Sequence, residues 1–530
     1  MATKIIETNY MEIFRSFCTI VRALILVGLV AACGSTPPPL KATVQVWPDA
    51  IDVFKAGYQG VSEKYIEYIS IDRLALDGIK GFSSIDPALH VRKSENSITL
   101  SYTGQRILSI DLPKSNDVHG WAELTSDLAI AARAYSTDMK AADAEKIYEA
   151  VFDGVLSKLD LYSRYSGAED ARENRAQRDG FGGIGIGFKR IDGALRITRI
   201  TPNTPAAKSG LLINDTITHI DKKPASHLTP RQATLLIRVP TNTTVSLSVT
   251  RTGITAPQTH KLTRKHIVFP TVTEKRLKNI LYYKISSFNQ GTAPSLSKKL
   301  KLATSAMGHD LKGVVLDLRG NPGGLLKQSV KVADLFLTQG TIVSTKGRHP
   351  DSLHHYAAGG SDLTEERPLI VLIDGKSASA AEIVAAALQD RERAILIGTS
   401  SFGKGTVQSV LRLPNDGEIT LTWSQFIAPS GYILHGLGVR PSLCTKAKPE
   451  PIEKFINITL NSASGIKSTF HQWRSVGLKN SARRNNLRST CPAQQRKSDK
   501  ELDIAIHMIE NPTTYTRALY FSSATNQAQK

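Results

Sequence analysis

The stretch "RPLIVLIDGKSASAAEIVAAALQDRERAILIG" (367–398) decides the fold class. Its apolar run 367–374 has no polar alternation, so it reads as a strand buried on both faces. "GKS" turns the chain, and "SASAAEIVAAALQD" continues as a helix. "RAILIG" (393–398) is a second buried strand. Strand, helix and strand at this spacing make a right-handed crossover in a parallel sheet. Working outward, "ILYYKISSFN" (280–289), a helix at about 292–306, "LKGVVLDLRG" (311–320) and the helix "LLKQSVKVADLFL" continue the alternation. The expectation is a largely parallel sheet covered by helices. In such folds ligands gather at the carboxyl ends of the strands, which is where Ser379 falls.

A helix start presents unpaired N–H groups and a partial positive charge. A hydroxyl at Ser379, beside the N–H of Ala380, therefore has the elements of a nucleophile with half an oxyanion hole. Gly323 or Gly324 of "NPGG" would let a second backbone N–H approach a substrate oxygen. A serine needs a base, and no histidine stands near. The candidate is Lys404 in "FGKGT", twenty-five residues after Ser379. A free lysine titrates near ~10.4; burial among apolar groups lowers that value, and about 7–8 suits a general base. Gln408 is spaced to orient the amine. Taken singly, each segment also suits a plainer part: a helix cap with close packing, and a loop with an exposed lysine.

Residues 46–165 read as mostly helical, interrupted by a hairpin in "SITLSYTGQRILSIDL", and carry no chemistry of their own. From Asp179 the pattern becomes short strands and glycine turns. The frame Ala206, Gly210, Leu211, Asp215, Ile217, Ile220, Asp221, followed by a helix with Thr229 as N-cap, resembles a PDZ domain. Such a module captures peptide tails: a glycine-rich loop (Gly182, Gly183, Ile184, Gly185, Ile186) turns N–H groups toward a terminal carboxylate while the strand edge adds the peptide as a strand.

The order "YSRY", "FGGIGI", the PDZ-like module, "YKISSFN", "VLDLRGNPGG", "KSASAAEIVAAALQD", "GTSSFGKGTVQ" and "GEITLTWSQFIAPSGYILHGLGVRP" resembles the carboxyl-terminal processing peptidase family over about 150–443. The resemblance implies a multidomain α+β protein: an N-terminal helical domain (46–178), a PDZ-like β module (179–252), a crotonase-like α/β protease core (253–443) and an extension, 444–530, of unknown role. It implies Ser379 as nucleophile, since Ser379 and not Ser377 has the family's spacing to Lys404, with Lys404 as base and Gln408 orienting the lysine. Gly323, Gly324 and Ala380 fall at oxyanion-hole positions, and Arg238 matches an arginine of the PDZ helix. Expected partners are proteins with accessible C-termini, and an adaptor protein; no metal or other cofactor is implied. Ser442 departs from the family's aspartate. Two rivals stay open: a non-catalytic peptide-binding scaffold, and a small-molecule acyl hydrolase on the same core.

The 530 residues carry a formal charge of +20. Basic residues are scattered apart from a run near 474–500, with no nucleic-acid motif, so no nucleic-acid partner is expected. The basic run, including Arg483, Arg484, Arg488, Arg496 and Lys497, reads as a solvated surface. Residues 1–33 read as a signal peptide, and the "VAAC" at its end resembles a bacterial lipobox, in which Cys33 would be lipidated. The Pro-rich linker 34–45 would follow it, anchoring a periplasmic protein to the outer membrane. The mature chain keeps two further cysteines, Cys444 and Cys491, expected to form a disulfide in an oxidising compartment.

Overall fold

A computed structural model describes residues 50–446, 451–495 and 499–520. The leader, Cys33, the linker 34–45 and residues Arg496 and Lys497 lie outside the described residues. No helix among the described residues is long and apolar enough to cross a membrane.

In the N-terminal region, helices Ala50–Lys64, Val118–Tyr135 and Ala144–Leu156 bury an aromatic cluster of Phe54, Tyr58, Tyr148 and Phe152. Strands Leu89–Lys93, Ser97–Tyr102 and Gln105–Asp111 form a separate three-stranded sheet. The chain then leaves through Arg164–Ser166, which pairs antiparallel with the distant strand Glu418–Ile427. That ladder carries the loop 160–163 onto the α/β core.

The second module is a twisted sheet in the order Gln258–Thr263, Thr244–Thr250, Thr216–Ile220, Ala194–Ile200, Ile186–Ile191. Helix Pro230–Ile237 starts with a capping box between Thr229 and Gln232, and proline occupies its first turn. Inward residues Ile197, Ile217, Val245, Leu247 and Val249 build a small core. Strand Gln258–Thr263 pairs with Thr244–Thr250, so the sheet runs past the boundary expected at 252. Only Leu262 of this strand is buried, so its mostly polar sequence carries little strand signal.

The core sheet has the order Val272–Leu277, Ile280–Ile285, Gly313–Asp317, Leu369–Ile373, Ile395–Gly398, Leu443–Cys444. The first pair is antiparallel and the rest are parallel. Alternate strand residues feed two different cores. Leu316, Val371, Ile373 and Leu396 pack against helices Thr292–Met307, Leu326–Asp334 and Ala380–Asp390. Val315, Ile370, Leu372, Ile395 and Ile397 pack against Ile456, Leu460, Ile504, Met508 and Ile509. The extension past residue 444 therefore supplies the second helical layer of the sheet.

The extension is also bonded covalently to the core. Cys444, in the last strand, and Cys491, at the end of helix Ser481–Thr490, form a disulfide across a sequence separation of 47 residues. Closing a loop of that size restricts the unfolded chain, a contribution of about 2–4 kcal/mol. Cys491→Ser is expected to lower the denaturant midpoint accordingly; an unchanged midpoint in non-reducing buffer would show that the bond contributes nothing. Of the basic run, Arg483 is exposed as expected, but two of its arginines are not solvated. Arg484 is 4% exposed and Arg488 is half-buried, both turned onto the core. Their backbone acceptors, described below, give no signal in the sequence.

Candidate active site

Strand Leu369–Ile373 ends in a turn organised by Asp374, whose carboxylate accepts hydrogen bonds from the N–H groups of Gly320, Lys376 and Ser377. The Ser377 hydroxyl is consumed in this turn. It donates to Leu318 O at 2.8 Å and accepts from Asp374 N–H at 2.9 Å. Ser379 is left at the helix start with φ 55° and ψ −115°. A non-glycine residue in such a conformation costs on the order of 1–3 kcal/mol and persists only where its surroundings impose it. Gly323 packs directly against this turn. A Cβ on Gly323 would lie 2.8 Å from both Ser379 Cβ and Ala378 O, and 3.1 Å from Ala380 N. With φ at +103°, Gly323 also has the backbone freedom the loop requires.

The three oxyanion-hole candidates differ in availability. Gly323 N–H donates to the Asn321 side chain at 2.8 Å, so it is engaged. Gly323 thus serves by close approach rather than by donation. Gly324, at φ +141°, lies against the backbone of Phe288, and neither its N–H nor that of Ala380 donates a hydrogen bond among the described residues.

Lys404 lies on the loop between strands Ile395–Gly398 and Thr406–Arg412. Its amine sits 4.7 Å from the ring centroid of Tyr162, which the ladder at Arg164–Ser166 brings from the N-terminal region. Burial lowers the Lys404 pKa from its usual value, and Arg164 adds to the effect; Asp160 and Glu382 oppose it. The ring face favours the ammonium form as well. Among the described residues, no hydrogen bond joins the amine to Ser379 or to Gln408. Gln408 Nε2 donates instead to Thr406 Oγ1 at 2.9 Å and Thr422 Oγ1 at 3.3 Å. Thr422 in turn donates to Asp160 at 3.1 Å.

Sequence reasoning missed the residue that joins the two halves of the site. Glu382 is fully buried on the first turn of helix Ala380–Asp390. Its carboxylate accepts from Ser379 N–H at 2.7 Å, Gly403 N–H at 2.7 Å, Lys404 N–H at 2.9 Å and the Ser401 hydroxyl. Burial pushes this carboxyl up, and the four donors pull it back. Ser379 and Lys404 are thus held to one carboxylate through their backbones. The signal was present as Ser-x-x-Glu at 379–382, the capping-box pattern. Tyr162 and Asp160 had no local signal.

In the second module, Ile186–Ile191 ends the sheet and has helix Pro230–Ile237 beside it. Gly182 and Gly183 do not form an open loop; they pair with His266 and Lys265 in a two-stranded ladder. Ile184 is buried in the module's core, and Gly185 turns at φ +90° against Thr204. Arg238 stacks on Phe181 at 4.1 Å and donates to Glu173 at 2.5 Å, so its charge is engaged at the seam with helix Ala168–Asp179.

Comparison with known proteins agrees with this division. Residues 279–444 match the model of peptidase family S41, and residues 182–259 match that of a PDZ domain. Over 323 residues the chain is 39% identical to a carboxy-terminal-processing protease of Bartonella bacilliformis, covering 61% of this chain and 74% of that protein. It is 32% identical over 313 residues to a carboxyl-terminal-processing protease of a Picosynechococcus species, covering 58% and 74%. With the carboxy-terminal processing protease CtpB of Bacillus subtilis it shares 29% identity over 384 residues, covering 68% and 78%.

Proposed function

Because this chain belongs to the carboxy-terminal processing serine proteases of family S41 and carries their PDZ domain, we propose that it cleaves exported proteins near their C-termini with Ser379 as nucleophile and Lys404 as base. The observation that carries the reading is the shared carboxylate of Glu382, which accepts from the backbones of both residues. The PDZ module holds the tail of a flexible protein along strand Ile186–Ile191 and presents the preceding residues to Ser379. The Lys404 amine leaves the Tyr162 ring, takes the Ser379 proton, and the alkoxide attacks the scissile carbonyl carbon. Charge on the carbonyl oxygen is met by the N–H groups of Gly324 and Ala380. The lysine ammonium then protonates the departing amine, and water, activated by the same lysine, releases the acyl group. Gln408, fixed by Thr406 and Thr422, retains its side-chain oxygen to receive and orient the amine.

A free α-carboxylate on the substrate is the discriminating test. A peptide with a free terminus should be cut faster than its C-terminal amide, with the difference in KM, and rapid quenching should leave the acyl group on the Ser379 peptide by mass spectrometry. Equal cutting of both peptides would remove the tail-capture step. A label on another residue would remove the nucleophile assignment. Loss of peptide cleavage on deleting the PDZ module, with small esters unaffected, would favour the acyl-hydrolase rival.

We also infer export, with Cys33 lipidated and residues 34–45 as spacer, which puts the enzyme on the periplasmic side of an outer membrane. The supporting feature is the basic, apolar leader ending in "VAAC". Cys33→Ala should move the protein from the detergent phase to the aqueous phase on extraction; unchanged partitioning would exclude the anchor. An adaptor protein that delivers substrates is consistent with the PDZ module.

A further inference from the structure

The loop that carries the proposed base is held from behind as well as in front. Its forward-facing donors, the N–H groups of Gly403 and Lys404 and the Ser401 hydroxyl, all go to Glu382. The carbonyls of Ser401 and Phe402 are turned instead to the C-terminal extension. The Arg488 guanidinium donates to Ser401 O at 2.8 Å, Phe402 O at 2.8 Å and Leu437 O at 2.6 Å. A guanidinium has five N–H donors in a rigid plane, which lets one side chain satisfy several carbonyls at a junction of loops. Gly403 and Gly438, both at positive φ, leave room for it: a Cβ on either would lie 3.3 or 3.0 Å from an Arg488 nitrogen.

Neighbouring residues of the extension act on the next loop. Arg484 donates to Ile433 O and His435 O, and Trp473 Nε1 donates to Gly438 O at 3.1 Å. That loop touches the lysine segment directly, since Gly436 N–H donates to Gly403 O at 2.8 Å. Three residues after Arg488, the disulfide at Cys491 fixes the helix end to the core strand. Beyond it, Gln494 O accepts from Gly375 N–H and from the Thr399 hydroxyl, on either side of the nucleophile turn. Trp473, Arg484, Arg488, Cys491 and Gln494 all lie beyond residue 444, where the match to the protease family ends.

Resting on the Ser379–Lys404 reading, we propose that Arg488 is a positioning residue, locked by the Cys444–Cys491 bond, which sets the backbone of the lysine loop so that the Lys404 stem points into the site. Glu382 takes three of the loop's donors and Arg488 two of its carbonyls, so the segment 401–404 is clamped on both sides. The extension is then a functional part of the catalytic centre as well as a cover for the sheet.

The test uses the full-length oxidised protein, a tail-bearing peptide substrate, and the variants Arg488→Ala, Arg488→Lys and Cys444→Ser with Cys491→Ser. Arg488→Ala is expected to lower kcat about ten- to a hundredfold, the effect of a displacement of about 1 Å in a catalytic group, with KM unchanged. The pH midpoint of kcat should rise, because a slack loop admits water to the amine and stabilises its charged form. Tyr162, Asp160, Arg164 and Glu382, the groups that face the amine, are unaltered in every variant. Arg488→Lys, which keeps the charge but not the planar fork, should give intermediate kcat and midpoint; it carries the test alone if the alanine variant is too unstable to purify. The double serine variant should shift the midpoint in the same direction and add little to Arg488→Ala, as coupled sites do. An unchanged kcat and midpoint in the Arg488 variants overturns the proposal, and so does an activity loss that only tracks the folded fraction. Ser379→Ala, run alongside, separates the two failures: if it retains cleavage, the dyad reading falls, and the brace falls with it.

Discussion

Ser379→Ala is expected to reduce turnover of a tail-bearing substrate by roughly 10⁴–10⁶-fold, the range set by loss of a nucleophile that acts as a unit with its base. Binding of that substrate should persist, since the PDZ groove lies on another module. Lys404→Met should fall in the same range, and the double variant should be hardly worse than either single one, because each alone removes the covalent step. The pH dependence adds a sign. A lysine acts as base only when uncharged, so kcat should be present above its pKa and lost as pH falls through it. Burial and Arg164 lower that pKa from the usual lysine value, so the midpoint should lie below that of a free lysine. A Ser379→Ala enzyme with wild-type turnover, or a midpoint at or above the free-lysine value, would refute the assignment.

The second large effect is at Glu382. Glu382→Ala would leave three buried N–H groups and the Ser401 hydroxyl without their acceptor. Each unsatisfied donor costs about 1–3 kcal/mol. The variant should be strongly destabilised and inactive. Glu382→Gln separates stability from geometry. Its amide keeps the shape, but one end presents N–H to groups that are themselves donors. Folding should survive, while kcat falls by about 10²-fold or more as the Ser379 turn and the Lys404 loop lose their common point. Comparison of thermal midpoints and kcat in both variants checks this. Near-normal kcat in Glu382→Gln would show that the carboxylate is only a helix cap.

The layered core and the position of Ser379 were legible because they follow from local rules: uninterrupted apolar strands, an alanine-rich helix, and glycines where backbones meet. The capping-box pair Ser379 and Glu382 was equally local, yet its reach to Gly403 and Lys404 depends on a loop that the pattern does not describe. Tyr162 arrives over the lysine only through the ladder between Arg164–Ser166 and Glu418–Ile427. Pairing of strands so far apart in the chain leaves no periodic trace in either one. Arg488 misled for a different reason. An arginine whose acceptors are main-chain carbonyls reads as a surface charge, since carbonyls are the same at every residue. Gly323 matched a donor position, but its N–H was already taken by Asn321 two residues earlier.

The ladder that joins Arg164–Ser166 to Glu418–Ile427 also sets a schedule for the nascent polypeptide. The aromatic wall beside Lys404 is translated early but cannot dock until the ribosome has delivered the strand around residue 420, and Arg488 and Cys491 emerge later still. Such long-range pairings form late. On the Ser379–Lys404 reading, a partly folded chain therefore holds the serine without an enclosed base until the pairing around residue 420 is made.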